Sequence, residues 1–321
     1  MKQEYQNKKI AFLGASIIQN GQFLSYMRNH LLNNPSEGKA KFFNCGLGGN
    51  RSIMAPDLLE DDILPLKPDY CFIHFGVNDM GIWLYDGAVG ETREVLLERE
   101  ERDALYFEGM KRTVERLKEK GIQPILCSPI AVNEYLIEKE NIETVADNKE
   151  KGELIEEGFY KRKTFQNINF KLAQYSKRLK EYAEKERVLF FDLYAKTYSK
   201  MQTIEGMFGK DGIHLTSIGQ EELGKSILEY LGCLEVFSSF ESNKEVDEIS
   251  QKEALIRKIQ YVKWAMFHPF LGYKETELDK NVQEALKEEL PRHKKEALLA
   301  YLEWAEQLFF LQTQLVESMK D

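Results

Sequence analysis

Long apolar runs are missing from this chain of 321 residues, and so is any paired-cysteine motif. No stretch approaches the roughly 18 consecutive apolar residues of a membrane-spanning helix. The N-terminus from Met1 to Lys9 is polar, and the apolar run behind it is too short for a secretory signal. Together these absences predict a cytoplasmic protein that does not engage a membrane. Four cysteines, Cys45, Cys71, Cys127 and Cys233, are scattered without a Cys-x-x-Cys spacing. That argues against a disulfide framework or a structural zinc site and suggests small buried hydrophobes in a reducing compartment. Basic charge is in deficit, 44 Lys and Arg against 53 Asp and Glu, for a net charge of -9. A nucleic-acid binder usually shows the opposite balance. Histidine is scarce, five in all, with no His-x-His or Glu-x-x-His pattern, so neither a metal nor an organic cofactor is expected.

What is present is a core. Hydrophobic residues make up 43% of the chain, enough for a globular protein. Short, nearly continuous apolar runs at Ile10 to Leu13, Lys41 to Asn44, Tyr70 to Phe75, Ile122 to Cys127 and Val188 to Phe191 read as strands buried on both faces of a parallel sheet. Helical patterns lie between and after them, over Phe23 to Leu32, Glu98 to Lys120, Tyr160 to Lys185 and Ile218 to Leu231. This alternation predicts a three-layer α/β/α domain of five parallel strands. The segment from Asn133 to Lys163 is mostly charged and reads as an insertion over the sheet edge. Residues 236–321 read as an all-helical C-terminal extension of a domain spanning 1–235. Charge-rich Glu241 to Lys252 leads into an apolar helical pattern from Ala254 to Phe267, and a second helix starts at Pro291. Trp264, Phe267, Tyr301, Trp304, Phe309 and Phe310 make this extension too apolar to stand in water. It is expected to pack on the domain 1–235 or on a second copy of the chain.

The strand ends carry the chemistry. Gly14-Ala15-Ser16 closes the first strand at a turn that would expose a serine, a candidate nucleophile, although serine at such a place often only caps a helix. Far downstream, Asp211-Gly212-Ile213-His214 offers a general base in His214 and an orienting acid in Asp211. Asp192, also at a strand end, competes for the acid role, but adjacency to His214 favours Asp211. Gly49, in Gly46-Leu47-Gly48-Gly49-Asn50, and Asn78, in Gly76-Val77-Asn78-Asp79, are candidate donors to an oxyanion alongside Ser16, or ordinary turn residues. Asp79 reads as a residue that ties its loop down. Arg51, Trp83 and Tyr85 follow these motifs and are candidates to line a substrate pocket.

In their order and spacing these four blocks resemble the SGNH hydrolase superfamily, the GDSL-type esterases and lipases, over roughly residues 8–232. The resemblance implies a flavodoxin-like sheet and a serine esterase with Ser16, His214 and Asp211 as triad and Gly49 and Asn78 completing the oxyanion hole. One position departs from the family pattern: Ala15 stands where the family usually has Asp. The expected activity is hydrolysis of a small or polar ester, such as an O-acetylated carbohydrate, through an acyl-serine. Acyl transfer by the same triad, or a carbohydrate-binding or scaffold protein that kept the fold, are the alternatives.

Overall fold

The computed structural model describes residues 1–85, 89–137, 167–233, 243–244, 246–254 and 256–257. Among them five parallel strands form one sheet in the order β2-β1-β3-β4-β5: β1 Lys8–Gly14, β2 Ala40–Gly46, β3 Tyr70–His74, β4 Gln123–Cys127 and β5 Leu189–Phe191. The fold is the α/β arrangement expected from the alternating pattern. Strands β1 and β2 run longer than their apolar cores, because Lys8↔Ala40 and Lys9↔Lys41 extend the pairing through residues whose side chains stay partly in water.

Alternation along β1 sorts its side chains to two cores. Ile10 and Phe12 enter one hydrophobic cluster, Ala11 and Leu13 the other. Helix α2 (Gln22–Asn33) and the last described long helix, Ser217–Tyr230, cover the first face with Phe23, Leu24, Met27, Leu223, Ile227 and Leu228. The long helices Arg93–Glu119 and Ile168–Glu186 cover the other. The first of these places Tyr106, Met110, Val114 and Leu117 on one stripe, the spacing of an amphipathic helix. A sheet covered on both faces explains why its strands read as continuous apolar runs. The four cysteines are buried free thiols. Among the described residues no helix is long and apolar enough to cross a membrane.

Residues 246–254 are helical, in line with the all-helical reading of 236–321, and the helix begins before the apolar pattern at Ala254. Its packed face mixes apolar and polar side chains: Val246 is buried, Ser250 pairs with Ser25 at 2.8 Å, and Glu253 makes a two-pronged ion pair with Arg28 of α2 at 2.7 and 2.9 Å. The pair sits on β2, the sheet edge. Arg28 donates to the Phe42 carbonyl at 2.6 Å, and Glu253 accepts from the Asn44 N–H at 3.0 Å. Backbone groups that an edge strand leaves open are thereby satisfied by side chains, which also blocks pairing with another strand. Arg257 pairs with buried Asp62 at 3.4 Å. The helix 246–254 therefore packs against α2 and β2. The sequence-predicted helix from Pro291, the aromatic residues from Trp264 onward and the segment 138–163 lie outside the described residues.

Removing one member of a buried ion pair leaves the other charge unpaired, at a cost of about 3–5 kcal/mol. Glu253→Ala is thus expected to lower unfolding stability by that order in a urea titration. The double replacement Arg28→Met with Glu253→Leu should recover a large part of it. A single variant as stable as wild type would mean the pair is not formed in solution.

Candidate active site

In a parallel sheet the crevice for ligands opens beyond the C-terminal ends of the strands, at the point where strand order reverses. Here that point lies between β1 and β3, with β2 on the other side of β1. The three motif loops leave these three adjacent strands. Two residues past β1, Ser16 opens a five-residue helix, α1 (Ser16–Asn20). With Asp absent at position 15, α1 has no side-chain cap. The Ala15 carbonyl instead accepts from Ile18 and Gln19 at 3.1 and 2.9 Å.

Ser16 Oγ lies 2.8 Å from His214 Nε2, and His214 Nδ1 lies 2.5 Å from Asp211 Oδ2. A carboxylate can only accept, so Nδ1 carries the proton and Nε2 is free to accept from the serine hydroxyl. The other oxygen, Asp211 Oδ1, accepts from the backbone N–H groups of Ile213 and His214, both at 2.9 Å. Burial alone would push the Asp211 carboxyl up. Hydrogen bonds from the His214 ring and those two amides outweigh it and hold the carboxyl below its ordinary range. The His214 side chain is 53% exposed and Asp211 37%, so the hydroxyl–imidazole–carboxylate chain faces open solvent.

A tight loop carries Asp211 and His214. Phe208 and Leu215 form an antiparallel bridge, and Gly209 donates to the His214 carbonyl at 2.8 Å. Gly212 has φ +66°, and a Cβ there would meet the Asn133 carbonyl oxygen at 2.3 Å, so only glycine fits. That close approach lets Asn133 donate its N–H to the Gly212 carbonyl at 2.7 Å, docking the loop on the segment after β4. Gln220, fully buried in the helix that follows, reaches back to the serine: its Nε2 donates to the Ile17 carbonyl at 3.2 Å and its Oε1 accepts from the Phe23 N–H at 3.3 Å.

On the opposite side, Asn78 Nδ2 donates to the Asn50 carbonyl at 3.0 Å, which uses one amide hydrogen and leaves the second for a ligand. Asn50 directly follows Gly49, so the two sequence-predicted donors share one loop junction. Gly49 is exposed, and among the described residues nothing accepts its N–H. Asp79 is buried and structural: it accepts from Ser52 N and Oγ at 2.7 and 2.6 Å and from Gly76 N at 2.9 Å.

The other candidates separate. Asp192 caps the helix Leu193–Met201, accepting from Ala195 N at 3.0 Å and from Ser128 and Ser176 hydroxyls at 3.2 and 3.0 Å. Its carboxylate is engaged there, while Asp211 holds the position at His214. Arg51 is half-buried. Trp83 is 53% exposed, its ring backed by the Arg102 guanidinium 4.6 Å from the centroid. Tyr85 is buried under Arg99 and offers a ligand little surface. Among the described residues no three His, Cys, Asp or Glu side chains are grouped to hold a metal ion. Gln19, Asn50 and Gln220, all in contact with these loops, carried no signal in the sequence.

The sequence profile of the GDSL-like Lipase/Acylhydrolase family matches residues 12–222. The Bacillus subtilis (strain 168) lipoprotein YqeF is 33% identical over 103 residues, which are 32% of this chain and 38% of that protein. The match thus spans under half of that relative's length. Among solved structures, BT4096, a gut microbial diltiazem-metabolizing enzyme, aligns over 98% of this chain and 96% of its own with a TM-score of 0.60 at 12% identity. A catalytic mutant of the acetylxylan esterase Axe2 from Geobacillus stearothermophilus aligns over 73% of this chain and 98% of its own, with a TM-score of 0.50 at 20% identity. At these identities the structural likeness speaks to the fold.

One buried group nearby has a measurable consequence. His74 ends β3, paired in register with Gly14 and Cys127, and neither ring nitrogen has a hydrogen-bond partner among the described residues. Burial drives its pKa down from 6.5 to about 4, keeping the ring neutral. The unfolded chain takes up a proton below about 6.5 that the folded one refuses, so stability falls as pH drops from there towards about 4, by up to about 3 kcal/mol. His74→Leu should remove this part of the acid sensitivity in unfolding titrations between pH 7 and 4. An unchanged pH slope would contradict a buried neutral ring.

Proposed function

The chain belongs to the GDSL-like lipase/acylhydrolase family, a carboxylic ester hydrolase, and we propose that it works through an acyl-serine formed on Ser16. The observation that carries this is the unbroken chain from Asp211 Oδ2 through the His214 ring to Ser16 Oγ. As Oγ attacks the ester carbonyl carbon, Nε2 takes the hydroxyl proton, and Asp211 stabilises the imidazolium while fixing its orientation. The negative charge that develops on the carbonyl oxygen is met by the N–H groups of Ser16 and Gly49 and the free amide hydrogen of Asn78. Collapse of the tetrahedral intermediate breaks the carbon–oxygen bond to the alcohol, which leaves with the proton from Nε2. Water, deprotonated by the same nitrogen, then attacks the acyl-serine. The carboxylic acid departs, and the proton returns to Oγ.

The substrate that suits this site is a small acyl group on a polar alcohol, such as an O-acetylated carbohydrate. The exposed triad supports it, because a long acyl chain would need an apolar trough beside Ser16 to repay its transfer from water. The exposed, guanidinium-backed ring of Trp83 also supports it as a flat surface for a sugar.

A fluorophosphonate probe should label Ser16, and p-nitrophenyl acetate should be cleaved in preference to long-chain esters. Ser16→Ala should lower kcat by about 10⁴- to 10⁶-fold with the unfolding midpoint nearly unchanged. Residual activity within tenfold of wild type would remove Ser16 from the reaction.

Three further substitutions separate the carboxylates and the amide. Asp211→Asn should cost about 10⁴-fold in kcat. Asp192→Asn should leave the rate within a few fold and show its effect in thermal stability, since it caps a helix away from His214. Asn78→Ala should lower kcat by about 10²- to 10³-fold with a smaller change in KM. A change confined to KM would make Asn78 a binding group instead.

A further inference from the structure

We propose that Gln19 is a positioning residue for the oxyanion loop, a role that rests on the esterase reading above. Gln19 sits on α1, three residues past Ser16, and its side-chain carbonyl Oε1 accepts the backbone N–H of Gly48. It is thus a strut between the nucleophile's own helix and the residue before Gly49.

The loop's successive amides show why this contact matters. The Gly46 N–H is taken by the Asn44 side-chain oxygen at 3.0 Å and the Leu47 N–H by the Gly14 carbonyl at 2.9 Å. Gln19 takes the Gly48 N–H, and the Asn50 N–H goes to the Leu47 carbonyl at 3.2 Å. Gly49 alone in this run has no acceptor among the described residues, so its N–H is the one presented outward. Gln19 supplies the last fixed point before it, and the only one of these acceptors borne by a side chain of α1. Its own backbone is held in turn, since Asn44 Nδ2 donates to the Gln19 carbonyl at 3.2 Å. The end of β2 lies directly against α1: a Cβ on Gly46 would come within 2.2 Å of the Gln19 nitrogen. Ser16 and Gly49 are therefore coupled by short, rigid contacts, with Gln19 the adjustable member. Donors aimed at a developing charge work only if they are already in place when it forms, and misplacement of about 1 Å can cost as much as 10²-fold in rate.

The test compares Gln19→Met, which keeps the length of the side chain and removes the acceptor, with Gln19→Glu, which keeps an acceptor. Two readouts are taken on the full chain: steady-state hydrolysis of p-nitrophenyl acetate, and amide hydrogen exchange of Gly48 by NMR on glycine-labelled protein. Gln19→Met should lower kcat by about tenfold or more with KM unchanged, and should speed exchange at Gly48. Gln19→Glu should keep the Gly48 amide protected. Wild-type kcat in the Met variant overturns the positioning role, as does a loss confined to KM. Equal Gly48 exchange in wild type and Gln19→Met shows that the strut does not exist. Failure of the esterase reading is distinguishable: wild-type protein would then neither cleave the ester nor take the fluorophosphonate at Ser16, whatever Gly48 does.

Discussion

The hydrogen bond between Ser16 Oγ and His214 Nε2 joins residues 198 positions apart in the chain. Nothing local can form it. It depends on the loop after β1 and the loop before the helix Ser217–Tyr230 being held in register with each other. Gln220 supplies one such hold, from the His214 side to the backbone of α1, and the seat of Gly212 against Asn133 supplies another. The sheet contributes by placing three loop-bearing strands next to each other, so Ser16, Gly49 and Asn78, the proposed nucleophile and oxyanion donors, start from neighbouring strand ends. The reactive groups are few. The groups that keep them apart or together are many, and most are backbone carbonyls and side-chain amides.

That division explains what the sequence could and could not disclose. Strands buried on both faces must be apolar at every position, and the five were legible for that reason. Ser16, Asp211, His214 and Asn78 stood out because their residue types carry chemistry at strand ends, where a parallel sheet gathers its ligands. Gln19 and Gln220 did not. A glutamine on a helix is indistinguishable from solvent-facing decoration until the carbonyl or N–H it reaches is known, and both partners here belong to other elements. The role of Asp192 was ambiguous for the complementary reason. It too follows a strand, and only its three donors, Ser128, Ser176 and Ala195, show that it serves a helix end.

In the C-terminal region the helical character was legible, but the partners of the helix were not. The face of 246–254 that meets α2 and β2 is anchored by Ser250 and Glu253, with Val246 as its apolar member. An ion pair of this kind contributes little net stability over an apolar substitute, because both charges must be desolvated. What it offers is selectivity. The guanidinium and carboxylate match one carbonyl and one N–H of β2.

The edge of β2 and the oxyanion loop are one continuous piece of backbone, and this links the two halves of the argument. Glu253 accepts the Asn44 N–H, while the Asn44 side chain binds the Gly46 N–H and the Gln19 carbonyl. A rotation of β2 about its axis would therefore break the contact with the C-terminal segment and the contacts under Gly49 together. Because packed elements have discrete rather than continuous arrangements, the strand edge and the donor geometry hold or fail as a unit. The placement of Gly49 thus has a contributor more than 200 residues away, Glu253, which ties β2 to the helix 246–254.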